Sequence, residues 1–364
     1  MKKTIQRAIG KINESPLFKN SFWGIASSAL QNLFLTIFFV IIVRRFPTAD
    51  FAQYLIASAL YQLLVVFSTL GLANWFIREI VNTADKSKTI NTYFKTQLYF
   101  GLTFYVINLI FAFLLYDNPL VHSLAIVFGF NIILDNLIDA IKSLNVAEAQ
   151  QVKSFKILII DSFLLCLTAS VLYIYPFSVL VLCSLQVIIR MVTINLFLKI
   201  GSSELINAKG ILAYKVKFIE IKELVYANWA FVVIGSISLL YWRSAQIIVS
   251  KLLTLTDVAI YGISYKIFQI ALIIPLIVSS TVYPSLVRKY NFENLKELKY
   301  YYQNVFFFYF SYGLLAFTFV YSFADLIVPL IFGNTYQNAA LYTKLMFLTL
   351  LIFPTAILQA NLLV

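Results

Sequence analysis

The sequence predicts an all-α polytopic membrane protein. Of its 364 residues, 61% are hydrophobic and only 12% are charged, and the mean hydropathy is +0.86. A soluble domain usually carries about a quarter charged residues, so this chain has too few polar side chains to cover a globule. Long apolar runs alternate with short basic loops along the chain. These observations together predict a helical bundle embedded in lipid.

The apolar runs predict about ten transmembrane helices. A spanning helix needs about 20 mostly apolar residues. The stretches that meet this criterion are 20–43, 51–73, 95–115, 120–141, 155–174, 177–198, 225–249, 258–283, 303–331 and 338–362. The chain ends inside the last apolar run, at Val364, which indicates a C-terminally truncated protein. Isolated prolines inside spans, such as Pro275, are compatible with this assignment because neighbouring helices can satisfy the freed carbonyl.

The loops predict the domain organisation and the orientation. We expect a cytoplasmic segment 1–19, a transmembrane lobe 20–198, a linker 199–224 and an incomplete second lobe 225–364. About 21 Lys and Arg residues fall on the N-terminal side of the membrane and about four on the other. Basic loops remain in the cytoplasm, so we expect a multi-pass protein of the inner membrane with its N-terminus inside. These loops account for the net charge of +12, and no nucleic-acid partner is expected.

Two stretches of the sequence resemble each other at an offset of about 207 residues. IIVRRFPTADFAQY begins at Ile41 and IIVSKLLTLTDVAIY begins at Ile247, and Gln62 falls opposite Gln269. The copies follow spans one and seven, so both halves enter the membrane with the same polarity. This predicts two pseudo-symmetric six-helix bundles around a central cavity.

The same stretches carry a resemblance to a known family. The first is TADFAQYLIASALYQLLVVFSTLGLANWFIREI, and the second includes Arg243, Tyr265-Lys266 and Tyr283-Pro284. This pattern resembles polysaccharide flippases of the Wzx type, within the superfamily of multidrug, oligosaccharidyl-lipid and polysaccharide exporters. The resemblance implies a MATE-like fold with twelve or more spans and alternating access. The chain departs from the family at Ala245, where an Asp is frequent, and at Lys266 and Gln269, where Arg and Glu are frequent.

Two cations inside the second-half spans predict an anion site. Arg243 and Lys266 each lie about 10 to 14 Å below the outer surface, at 1.5 Å per residue. A cation facing lipid at that depth costs a few kcal/mol or more. Either both side chains line the cavity and receive a diphosphate, or Lys266 reaches the interface and Arg243 is satisfied by backbone carbonyls.

A second set of charges lies in the first lobe. Span four carries Asn131, Asp135 and Asp139, which recur every fourth residue and share one helix face. Asp161 on span five and Arg190 on span six lie at comparable depth. The set is either a structural salt-bridge network or a site for a coupling proton or sodium ion.

Uncharged amides complete the candidate residues. They can line the cavity and bind sugar hydroxyls, or they can hold helices together in lipid. These residues are Gln31, Gln62, Asn228, Gln246 and Gln269. Neither His122 nor the two cysteines have metal-ligand spacing, and no catalytic motif is visible, so we expect no metal, no cofactor and no enzyme.

These observations favour a flippase that moves an undecaprenyl-diphosphate-linked oligosaccharide from the cytoplasmic to the outer leaflet. The expected partners are the bilayer, the lipid-linked oligosaccharide, a coupling ion and polysaccharide-assembly proteins. One alternative is a small-molecule or multidrug cation-coupled exporter of the same superfamily. Another is a membrane polysaccharide polymerase or ligase, against which the short outer loops argue.

Overall fold

The structure is a computed structural model that describes residues 16–201, 205–206, 208–229, 244–291, 295–356 and 358. The chain divides into two compact units, Met1–Leu255 and Thr256–Val364. Within the described residues every regular element is helical. Nine helical segments there are long and apolar enough to cross a membrane. The prediction of an all-α polytopic fold is therefore confirmed.

Ten helices are assigned among the described residues 16–229 of the first unit. They are α1 (Pro16–Arg45), α2 (Thr48–Thr69), α3 (Leu72–Asn82), α4 (Lys86–Leu115), α5 (Pro119–Gly129), α6 (Asn131–Ala147), α7 (Gln151–Ser170), α8 (Val179–Leu196), α9 (Ala208–Ala213) and α10 (Phe218–Ala227). Residues 244–252 are also helical and belong to this unit. Helix α1 packs along α7, α4 packs on α6, and α2 contacts α4, α5 and α6.

The described part of the second unit contains two long helices and a shorter one. They are α11 (Leu255–Asn291), α12 (Leu295–Phe332) and α13 (Ala339–Phe347). The Ser264 hydroxyl of α11 donates to the Ala339 carbonyl at 3.0 Å. Gly313 lets α12 approach the next segment closely, because a Cβ there would lie 2.1 Å from the Leu350 carbonyl oxygen.

The nine segments correspond to nine of the ten predicted spans. They cover Trp23–Arg45, Thr48–Asn82, Lys86–Leu115, Pro119–Ala147, Gln151–Tyr173, Val179–Gly201, Leu255–Ser279, Lys296–Phe332 and Ala339–Ala356. Most of the predicted seventh span, 225–249, falls in 230–243, outside the described residues. The observed second span is longer than predicted because it consists of two helices, α2 and α3.

The second span is broken at two residues with left-handed backbone. Leu70 has φ 49° and Gly71 has φ 60°, so α2 ends at Thr69 and α3 begins at Leu72. Side chains from other helices satisfy the carbonyls at the end of α2. The Gln97 amide donates to the Thr69 carbonyl at 3.4 Å, and the Asn136 amide donates to the Ser68 carbonyl at 3.5 Å.

The apolar core at one end of the first unit joins several helix ends. It comprises Leu72, Phe76, Ile80, Ile90, Tyr93, Phe94, Ile138, Ala140, Ile141, Leu144, Ile157, Phe197 and Ile211. These residues come from α3, the start of α4, the end of α6, the start of α7, the segment after α8 and α9. The loop charges predict this end of the unit on the cytoplasmic side. We call this the inner end, and the opposite one the outer end.

Pro275 in α11 shows how a proline is accommodated in a span. Proline has no backbone N–H, so the carbonyl four residues earlier, at Ala271, loses its helical partner. The Tyr312 hydroxyl of α12 donates to that carbonyl at 2.6 Å. Tyr309 donates to the Pro275 carbonyl at 3.1 Å. The expectation that a neighbouring helix satisfies the freed carbonyl is confirmed.

Candidate functional site

The central feature of the first unit is an arginine between two aspartates. Arg190 Nη1 lies 2.8 Å from Asp161 Oδ2, and Arg190 Nε lies 3.3 Å from Asp135 Oδ1. The carboxylates are shielded, with 14% of the Asp135 side chain and 6% of the Asp161 side chain exposed. The structure thus brings together three of the predicted residues, from α6, α7 and α8. We call these three residues the charge cluster.

Two residues that the sequence did not single out complete the charge cluster's hydrogen bonds. The Tyr61 hydroxyl of α2 donates to Asp135 Oδ2, and the Thr193 hydroxyl donates to Asp161 Oδ1 at 2.7 Å. Tyrosine and threonine are too common in apolar spans to indicate a site by type. The spacing of the sequence gives one indication of Thr193, because this residue lies one helical turn beyond Arg190 on the same face of α8.

The charge cluster holds one more carboxylate than it has cations. Asp135 and Asp161 share the single guanidinium of Arg190, so with both carboxylates ionised the cluster carries a net charge of minus one. An uncompensated charge inside a membrane is costly. The arrangement is therefore suited to take up a proton or a small cation. It is equally suited to holding three helices together through Arg190.

The other predicted members of this set lie apart from the cluster's hydrogen bonds. Asp139 pairs with Lys142 one helical turn later at 2.6 Å, and both side chains are more than a third exposed. Asn131 is buried, and its Oδ1 has no hydrogen-bond partner within the described part of the chain. The Gln186 Oε1, one turn before Arg190, is buried and unpartnered in the same sense.

The predicted amides are mostly engaged in local bonds. Gln31 donates to Ser27 at 2.7 Å and Gln62 donates to Ser58 at 2.6 Å, each four residues back in its own helix. Asn228 donates to the Leu224 carbonyl at 2.9 Å. Each bond occupies one of the two amide N–H donors and leaves the other N–H and the amide oxygen for other partners.

The remaining predicted residues belong to the second half of the sequence. Gln246 is buried and donates to the Leu55 carbonyl of α2 at 3.2 Å. Lys266 and Gln269 lie on α11 and are half-buried. Arg243 lies outside the described residues. The pairing of Arg243 with Lys266 in one anion site thus remains a prediction.

Residues 244–252 contact the rest of the first unit at its outer end. The hydroxyls of Ser250 and Tyr116 are 2.5 Å apart. Lys251 donates to the Leu115 carbonyl, and its Nζ lies 5.0 Å from the centre of the Tyr116 ring. Burial raises the pKa of the Tyr116 hydroxyl, and its hydrogen bond with Ser250 opposes that shift. The Tyr116 hydroxyl therefore remains neutral at physiological pH.

One family matches most of the chain. The family described as "polysaccharide biosynthesis protein" matches residues 17–289. The chain belongs to this family. The match includes α1 to α10 and most of α11, and so it includes the charge cluster. Comparison with curated proteins found no match.

Solved structures show that this family member has the fold of MATE transporters. An inward-facing multidrug resistance MATE transporter of the MOP superfamily matches with a TM-score of 0.69 at 14% identity, over 91% of this chain and 80% of that one. The MATE multidrug transporter DinF-BH matches with a TM-score of 0.65 at 14% identity, over 96% of this chain and 82% of that one. The predicted MATE-like fold is confirmed.

A third similar structure concerns pocket charge. It is a MOP superfamily transporter from Pyrococcus furiosus, described by a reverse polarity of its binding pocket that suggests a different function. It matches with a TM-score of 0.53 at 14% identity, over 96% of this chain and 84% of that one.

In the polysaccharide biosynthesis family member described here, no group of three or more His, Cys, Asp or Glu residues among the described residues is arranged to hold a metal ion.

Proposed function

We propose that this protein moves an undecaprenyl-diphosphate-linked oligosaccharide from the cytoplasmic to the outer leaflet by alternating access. The observation that carries the proposal is the match of residues 17–289 to the polysaccharide biosynthesis family. The MATE-like fold supports a transport role, since its relatives of known structure are described as transporters. The lipid-linked substrate is the form in which a hydrophilic glycan can be held at a membrane during its assembly.

The chemistry of the substrate assigns a role to the cations of the second half. A diphosphate carries negative charge through the membrane, and fixed cations on the cavity wall lower the cost of that passage. Arg243 and Lys266 are the residues we propose for it, with Arg243 as the bidentate ligand and Lys266 as a point charge. Gln31, Gln62, Asn228, Gln246 and Gln269 would bind sugar hydroxyls through the hydrogen-bonding capacity that their helix contacts leave.

A second candidate function rests on the charge cluster. The excess of one carboxylate over Arg190 favours a cation-coupled exporter of small molecules in the same superfamily. In that reading Asp135 or Asp161 takes up a proton or sodium ion on one side of the membrane and releases it on the other. The same coupling is compatible with an oligosaccharide substrate, so the substrate itself has to be tested.

The test is a flipping assay with the purified protein in proteoliposomes. A fluorescent undecaprenyl-diphosphate-linked oligosaccharide is placed in both leaflets, and the fraction accessible to an added membrane-impermeant quencher is followed in time. We expect the protein to accelerate exchange between leaflets. Arg243→Ala should slow exchange by about tenfold or more, because one lost charge-assisted phosphate contact is worth about 1.5 to 3 kcal/mol.

The matched control is Arg78→Ala, which removes an exposed cation at the inner end. It should flip at the normal rate. Full flipping by Arg243→Ala at normal protein level would remove that residue from the site but keep the function. A protein that flips no lipid-linked sugar, yet transports a small organic cation against a proton or sodium gradient, would replace the first candidate with the second.

A further inference from the structure

The linker after α8 is fixed to the inner end of the first unit. Ile211 of α9 is buried in the apolar core described above. The Lys95 ammonium of α4 donates to the Leu212 carbonyl at 2.9 Å. The Thr92 hydroxyl of α4 donates to the Tyr214 hydroxyl at 3.4 Å. Helix α10, which begins four residues later, therefore starts from an anchored point beside the ends of the spans.

Helix α10 has one face against the protein and one large apolar face that is exposed. Successive residues of a helix are turned by about 100°, so Ile221, Leu224 and Asn228 share one side. Leu224 packs on the apolar core and Asn228 is buried. The other side carries large apolar residues, and the exposed fractions are Phe218 80%, Ile219 54% and Tyr226 80%. Trp229, just beyond the end of α10, is 61% exposed.

Cations accompany these exposed aromatic residues. Lys222 is exposed and, at about 100° per residue, lies between Phe218 and Tyr226 on the same face. Lys215 and Lys217 are exposed immediately before the helix. Of the acidic residues, Glu220 accepts from the Lys217 backbone N–H at 3.0 Å. Glu223 is exposed at the edge of this face, turned by about 100° from Lys222 and about 40° from Ile219.

We propose that Lys215–Trp229 is an interfacial segment that lies in the headgroup layer of the inner-end leaflet and binds anionic lipids. The aromatic residues enter the boundary with the acyl chains, and the three lysines contact lipid phosphates. Exposed Trp, Tyr and Phe beside lysines are the composition that this layer favours. The charge of Lys222 favours lipid over a protein partner. A protein that covered this face would have to desolvate Lys222, whereas a lipid phosphate neutralises it at the water boundary.

The position of the segment matches this assignment. It follows the inner end of α8, and its last five residues, 225–229, overlap the start of the predicted seventh span, 225–249. The segment therefore lies where the chain enters the membrane. Anionic lipid binding here would hold the start of that span at the interface. This is a property of the bilayer contact and is independent of the transported substrate.

The experiment measures the depth of α10 in bilayers with the whole protein. An environment-sensitive fluorophore is attached at Phe218→Cys, Tyr226→Cys or Glu223→Cys, in a background where Cys166 and Cys183 are replaced by Ala. Each protein is reconstituted in vesicles of phosphatidylcholine alone or phosphatidylcholine mixed with phosphatidylglycerol. Quenching by doxyl-labelled lipid is compared with quenching by iodide in the aqueous phase.

We expect the labels at 218 and 226 to be quenched by doxyl lipid and shielded from iodide, and the label at 223 to behave in the opposite way. Doxyl-labelled phosphatidylglycerol should quench better than doxyl-labelled phosphatidylcholine. Replacing Lys215, Lys217 and Lys222 by Gln should reduce that preference by up to about fivefold per lysine. The control replaces Lys86 and Lys88, two exposed lysines at the same end, and should leave it unchanged.

Three results would overturn the proposal. Iodide quenching at 218 and 226 would place the face in water. Protection from both quenchers would show that protein covers it, either another part of this chain or a partner. Insertion of the labels with equal quenching by the two lipids, before and after the lysine substitutions, would remove the anionic-lipid site.

Discussion

Arg190 is the residue on which the charge cluster depends. It contacts both Asp135 and Asp161, whose side chains are shielded. Removing one partner of a buried ion pair costs about 3 to 5 kcal/mol, because the remaining charge stays buried without compensation. We therefore expect Arg190→Gln to lower the free energy of unfolding by about that amount. Denaturation of the detergent-solubilised protein, followed by far-UV circular dichroism, measures it.

The matched control for Arg190 is the neighbouring pair of Asp139 and Lys142. Both of these side chains are more than a third exposed, so Lys142→Gln should cost less than about 1 kcal/mol. Adding Asp161→Asn to Arg190→Gln should recover part of the loss, because one uncompensated carboxylate is removed. Equal stability of the Arg190 and Lys142 variants would show that the cluster's charges are solvated or neutralised by another group.

Charged residues could be located from the sequence, and their hydrogen-bond partners could not. Asp135, Asp161 and Arg190 stand out because charges are rare in apolar spans, and helix direction gives their depth. Tyr61 and Thr193 do not stand out, because their types are ordinary in such spans. For the amides, the sequence does not decide between lining the cavity and bonding within the helix. Gln31 and Gln62 each bond a serine four residues back, a pattern that the sequence contains and that favours a role within the helix.

At the scale of elements, the contact between α11 and α12 makes Pro275 tolerable. The Ala271 carbonyl accepts from Tyr312 at 2.6 Å, in place of the N–H that proline lacks. Tyr312→Phe keeps the ring and removes this donor, so we expect a loss of about 0.5 to 1.5 kcal/mol in the free energy of unfolding. Thermal or denaturant unfolding of the purified variants measures the loss.

A double-mutant cycle separates this effect from a general effect of the substitution. In a Pro275→Ala background the alanine N–H can bond the Ala271 carbonyl, so Tyr312→Phe should cost less there than in the native chain. Tyr300→Phe, at a residue that is 67% exposed, serves as the control and should be neutral. Equal costs in both backgrounds would show that the Tyr312 hydroxyl does not compensate for Pro275.

Nine of the ten predicted spans are found within the described residues, while the break in the second span could not be predicted from the sequence. Apolar residues continue across Leu70 and Gly71, so the hydropathy pattern predicts a single uninterrupted span. Gly71 permits a left-handed backbone at little cost, but Leu70 adopts it too, with φ 49°. The break is stabilised by Gln97 and Asn136 from other helices. Such contacts join residues that are distant in the sequence, so no local sequence pattern predicts them.

At the scale of the whole molecule, residues 244–252 connect the sequence repeat with the observed units. The repeat places them in the second lobe, as the counterpart of the end of span one. In the structure they belong to the compact unit Met1–Leu255. They contact it through Gln246 to the Leu55 carbonyl, Ser250 to Tyr116 and Lys251 to the Leu115 carbonyl. These contacts are hydrogen bonds near the outer end, and bonds of this kind can be exchanged for water.

We predict that these outer-end contacts open during transport. If residues 244–252 move with the second lobe, a link between positions 116 and 250 prevents the outer side from opening. Tyr116→Cys and Ser250→Cys are introduced with Cys166 and Cys183 replaced by Ala, and a reducible bifunctional thiol reagent that spans a tyrosine side chain joins them. Flipping in proteoliposomes should stop on linking and return on reduction.

Each single-cysteine variant, treated with the same reagent, should flip normally. Undiminished flipping by fully linked protein would instead fix residues 244–252 in the first unit throughout the cycle, and the moving boundary would then lie beyond Leu255.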